Sequence, residues 1–109
     1  MREAPPELLE FCRLFNEEKF FEAHEVLETL WRKTKGKPRD FYHGLIQIAA
    51  AFVHLQRGTP DGAKKLFQTA ARYLQPYLPT FRSIDLDKLL VETQERLLAK
   101  APFPKLYLK

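Results

Sequence analysis

Apolar residues recur along this chain at helical rather than alternating spacing, and prolines and glycines mark where each repeat stops. Leu8, Phe11, Cys12 and Phe15 follow Pro5-Pro6-Glu7, a sequence suited to a first helical turn. Asn16 is expected to close that helix in the left-handed conformation. A second helix is predicted from Lys19 to Thr34, with Gly36 as its stop. A third should start at Pro38 and reach Arg57 before Gly58. Thr59-Pro60-Asp61 reads as an N-cap, a first helical residue and an acidic first turn, opening a fourth helix that ends near Leu74 because Pro76 and Pro79 follow. Asp85 can cap a fifth, which carries Leu86, Leu89, Leu90 and Leu97 on one face. The tail, Ala101 to Lys109, holds two prolines and four large apolar residues and is expected to lie extended against the core or a partner.

No segment reads as a strand with comparable strength. Short connections imply antiparallel neighbours, so the expected fold is all-α: one domain over residues 1–109, an up-and-down bundle of about five helices. Phe15/Leu55, Ala23/Ala63, Val26/Leu66, Leu27/Phe67 and Leu30/Ala70 repeat at an offset of 40 residues, which predicts two similar helical hairpins.

The candidate chemistry lies on the second and third helices, which hold all three histidines. At about 100° per residue, Phe20, Ala23, Leu27, Leu30 and Trp31 share one side of the second helix. His24 falls within that stripe and Glu28 at its edge, one turn on. On the third helix, Phe41, Leu45, Ile48, Phe52 and Leu55 form an apolar band, while His43, Gln47 and His54 align on the other side, flanked by Gly44, Ala50 and Ala51. Small residues allow close approach, and polar groups between close helices need partners. A buried polar cluster of His24, Glu28, Gln47 and His54 is therefore expected across a tight seam, with Trp31 as its aromatic neighbour.

Two kinds of role are open to that cluster. As a packing network it would set the specificity of a module that binds another protein or itself. As an active site it would serve a metal-dependent or acid–base hydrolase through His24, Glu28 and His54. The pattern His-Glu-x-x-Glu lacks the second histidine of the zinc-protease motif, and the paired Glu-x-x-His of di-iron bundles is missing, so no metal or other cofactor is required. Cys12 lies in an apolar run on another helix and reads as core rather than nucleophile.

Composition narrows the classes. Apolar residues are 45% and charged residues 29% of the 109, an ordinary globular balance. A single cysteine, no signal-peptide pattern and no run long enough to span a bilayer point to the cytoplasm and away from membranes. One asparagine, one methionine and abundant Lys, Arg and Glu resemble thermophile usage. Arg32, Lys33, Lys35, Lys37 and Arg39 supply much of the +4 formal charge. They suit a helix C-terminus and its loop, and without interleaved aromatics they argue against nucleic acid.

The run Phe15-Asn16, Phe20-Phe21-Glu22-Ala23-His24-Glu25, Leu27-Glu28 and Trp31, with Gly44-Leu45-Ile46-Gln47, His54, Gly58 and Gly62-Ala63, resembles the bacterial and chloroplast domain-of-unknown-function family numbered 309. The resemblance covers Leu14 to Leu66. It implies an all-helical fold and no particular activity. The chain departs from the family pattern at Glu18, His43 and Thr59, where glycine, glutamine and asparagine are expected.

Overall fold

The computed structural model describes residues 4–99 and 101–108. Five helices follow one another: α1 (Pro6–Asn16), α2 (Phe20–Lys33), α3 (Pro38–Gln56), α4 (Pro60–Leu74) and α5 (Leu86–Leu98). Pro6, Pro38 and Pro60 each sit in a first turn, where a missing N–H costs nothing. Asp85 caps α5 as expected, accepting the Lys88 N–H at 3.0 Å.

Each helix packs on its sequence neighbour, α5 more lightly than the rest. The contacts show antiparallel order. Lys33 at the end of α2 reaches Glu7 at the start of α1, and Phe20 and Trp31 on α2 meet Phe52 and His43 on α3. Gly44 and His54 on α3 face Leu74 and Gly62 on α4. The bundle therefore consists of two helical hairpins, α1–α2 and α3–α4, with α5 added at the side. Positions repeated at the 40-residue offset play similar parts: Ala23, Ala63 and Ala70 are fully buried, and Leu30 nearly so.

Four details differ from the sequence expectation, each for a local reason. Asn16 stays helical, and Glu18 takes the left-handed conformation at φ +62°. A glycine would adopt that angle without cost. The Thr59 side chain does not cap α4 but turns back to α3, as described below. Between α4 and α5 lie a 3₁₀ turn, Gln75–Tyr77, and a short antiparallel hairpin, β1 (Thr80–Phe81) with β2 (Ile84–Asp85). Its two central residues, Arg82 and Ser83, both have positive φ, the geometry of a primed turn built without the usual Asn-Gly signal. Finally, the close approach marked by Gly44 is between α3 and α4, not α2 and α3. A Cβ on Gly44 would stand 2.6 Å from Leu74 of α4.

The core is aromatic. Phe15, Phe20 and Phe52 form mutual contacts with ring centroids 5.0–5.9 Å apart. The tail lies extended against them. Phe103 packs on Phe20 and Phe52, Leu106 is buried, and Arg96 lies over the Phe103 ring at 4.3 Å. The Asn16 amide bonds both the N–H and the carbonyl of Leu106, at 2.7 and 2.8 Å. Asn16, the last residue of α1, thus straps the tail to the bundle instead of taking the left-handed cap conformation.

Candidate functional site

The polar residues of α2 and α3 line one antiparallel seam, and they divide into two groups along it. At one end a concavity of about 160 Å³ is walled by Phe21 and His24 of α2 and by Ala50, Val53, His54 and Arg57 at the end of α3. The imidazoles of positions 24 and 54 therefore share one hollow. At the other end a stack runs across three helices. Arg39 covers Trp31 at 4.1 Å, Trp31 meets His43 at 5.0 Å, and His43 meets Tyr73 of α4 at 4.4 Å. Glu28 lies along α2 between His24 and Trp31.

His54 is held by two residues of the α3–α4 corner. Thr59 Oγ1 stands 2.9 Å from the His54 carbonyl and 2.9 Å from His54 Nδ1. Two oxygens that close need a proton between them, and a carbonyl has none, so the hydroxyl donates to it. The imidazole must then donate Nδ1–H to the hydroxyl oxygen. In the neutral ring this leaves Nε2 as a lone-pair acceptor. Gly62 makes the placement possible, since a Cβ there would lie 2.8 Å from Nδ1.

His24 stacks on Phe21 with ring centroids 5.9 Å apart. Its Nε2 is 3.9 Å from Glu28, a long contact, and its buried Nδ1 has no partner among the described residues. Glu28 pairs more closely with Arg32, at 3.0 Å. The side chains of His24 and Glu28 are 26% and 30% exposed, and His54 is exposed. The seam is thus a part-open groove rather than the buried network expected, and Ala50 contributes only a methyl group to its wall.

Gln47 turns away from His24. One helical turn separates it from His43, and its amide nitrogen approaches His43 Nε2 at 3.1 Å. Its own Oε1 and the Trp31 Nε1–H are buried without partners among the described residues. Burial, and then the charge of Arg39, push the His43 imidazole below its ordinary value. Of the basic segment, Arg32 is engaged by Glu28, Lys33 by Glu7 at 2.6 Å, and Arg39 by Trp31; Lys35 and Lys37 face solvent.

The donors proposed for a metal do not assemble. Among the described residues, no three His, Cys, Asp or Glu side chains are grouped closely enough to hold an ion. Cys12 is buried on α1, and burial pushes its thiol up to about 12, so it supplies no thiolate.

Sequence reasoning missed Phe21, Arg57, Arg39 and Tyr73. Phe21 sits off the apolar stripe of α2 and is 46% exposed, a position that a core-directed reading passes over. Arg57 lies just past the end of α3, with its guanidinium 5.9 Å from the Phe21 ring.

These features define an all-helical module with a polar seam between its two hairpins. The chain belongs to the family described as Domain of unknown function (DUF309), whose model matches residues 8–66. It is 38% identical over 69 residues to the uncharacterized protein YpuF of Bacillus subtilis, covering 62% of this chain and 40% of that protein. The chain thus spans well under half the length of that relative. The crystal structure of the conserved hypothetical protein TTHA0068 from Thermus thermophilus is similar throughout: 30% identical, TM-score 0.76, covering 88% of this chain and 100% of the other. Among the described residues, no helix is long and apolar enough to cross a membrane.

Proposed function

We propose that this chain is a small cytosolic binding module, and that it contacts another protein through the Phe21 end of the α2–α3 seam. The observation that carries this reading is the half-exposed Phe21 ring flanked by Arg57 and His24 at the rim of the concavity. Aromatic and arginine side chains around a small hollow are the usual energetic centre of a protein contact. Leaving such a ring in water sacrifices apolar burial, a loss that a partner recovers.

The hydrolytic alternative through His24, Glu28 and His54 draws less support. The Thr59 contact at Nδ1 leaves His54 Nε2 as the acceptor of the neutral ring, but Glu28 is paired with Arg32 and no nucleophile is among the lining residues of the hollow.

Selection of a random peptide display library against the full chain tests the proposal. The expected result is a family of related peptides that lose binding to a Phe21→Ala/Arg57→Ala double variant. Peptides that bind the double variant equally well, or a library that yields no enrichment, would remove this surface from consideration. Sedimentation of the free chain separates self-association from binding of another protein: a concentration-dependent dimer abolished by Phe21→Ala would make the partner a second copy.

A further inference from the structure

The chemistry of the hollow points to one class of occupant, given that the Phe21 surface is a protein contact. Its volume of about 160 Å³ is below the roughly 300–1,000 Å³ typical of cofactor and small-molecule sites, and matches a single side chain. Its walls at Phe21, Ala50 and Val53 are apolar. Its polar groups are one guanidinium and two imidazoles, with no carboxylate among the lining residues. Among the described residues, Arg57 has no acidic side chain within ion-pair distance, unlike Arg13 and Arg32. In the neutral ring, Thr59 leaves His54 Nε2 as an acceptor, which suits an incoming N–H.

We infer that the partner presents an acidic peptide segment: one Asp or Glu carboxylate for Arg57, an adjacent apolar side chain against Phe21, and a backbone N–H for His54 Nε2. The three features are complementary in charge, in polarity and in hydrogen-bond direction. A guanidinium takes a carboxylate through paired N–H donors, so an amide in its place loses both charge and geometry.

Three blocked tripeptides supply the probes: acetyl-Leu-Glu-Leu-amide and its Gln and Lys counterparts, each titrated into the isotopically labelled full chain and followed by NMR. The Glu peptide should shift Phe21, His24, His54 and Arg57 resonances saturably. It should bind about tenfold tighter than the Gln peptide, the loss expected for one charge-assisted contact. Arg57→Gln should erase that preference, and because Arg57 is exposed the variant should fold normally. Gly62→Ala, which displaces the His54 ring, should weaken the Glu and Gln peptides alike. Equal binding of Glu and Gln peptides at these residues, or a preference that survives Arg57→Gln, overturns the acidic-segment inference while leaving the module reading intact. A library selection that succeeds on this surface without acidic residues does the same. Failure of all three peptides together with an unenriched library ends both.

Discussion

Gly44→Ala is a direct test of the α3–α4 packing that carries the site. The added Cβ would stand 2.6 Å from both Cγ and Cδ2 of Leu74 and 3.4 Å from the Ala70 carbonyl oxygen. Leu74 is fully buried, and Cγ is its branch point, so the side chain cannot swing clear. Overpacking of this kind costs about 1–3 kcal/mol. Contact with a branch carbon places it near the upper figure. Replacing a mid-helix glycine by alanine offsets this by about 1 kcal/mol. The net expectation is a loss of about 2 kcal/mol, or a fall in Tm of roughly 8–16 °C for a domain of this size. Urea unfolding followed by helical circular dichroism measures it. Leu74→Ala supplies the control. Alone it should cost about 2–5 kcal/mol. In its background Gly44→Ala should become neutral or stabilising, because the clashing atoms are gone. A Gly44→Ala chain more stable than the parent, or one that loses the same amount in both backgrounds, would refute the argument.

Two further outcomes are expected. The His43 imidazole is held below its ordinary value of 6.5 by burial and by Arg39, so the unfolded chain takes up a proton that the folded chain resists. Stability should therefore fall as pH drops through and below that value, and His43→Gln should flatten the fall; Tm measured from about pH 7.5 to about 5.5 would show parallel curves if His43 were not responsible. Asn16→Ala leaves the N–H and carbonyl of Leu106 without their partners and should cost about 1–3 kcal/mol, with faster proteolysis of the tail; an unchanged Tm would mean the strap contributes nothing.

Much of the architecture was legible because helix punctuation is local. A proline in a first turn, a glycine or an acidic cap acts within a few residues, so the five segments could be placed almost to their ends. The 40-residue repeat was legible for a related reason: similar hairpins bury matching positions such as Ala23 and Ala63 or Leu30 and Ala70, though Leu55 and Phe67 are less buried than Phe15 and Leu27. The β1–β2 hairpin was hidden because Arg82 and Ser83 carry no turn signature, although both adopt positive φ. Thr59 was misread because its composition suits a cap equally well in either direction along the chain.

The candidate site shows the same division more sharply. Periodicity alone aligned His24 and Glu28 on α2, and His43, Gln47 and His54 on α3, and the short connection between the two helices made them neighbours. Which polar group meets which was beyond it. A helical wheel specifies the direction of a side chain but not the rotamer, nor the size of the residue opposite. Ala50 contributes only a methyl group to the seam, Gly62 makes room for the His54 ring, and Thr59 folds back to orient it, each across a helix boundary. Phe21 and Arg57 gain their meaning only from being brought together. The amino-acid pattern thus determined the rods and their inward faces through short-range sterics and hydrophobicity. The hollow and its chemistry were decided by packing between helices, where the relevant contacts join residues on different elements, from the α3–α4 corner around His54 to the pairing of Phe21 with Arg57.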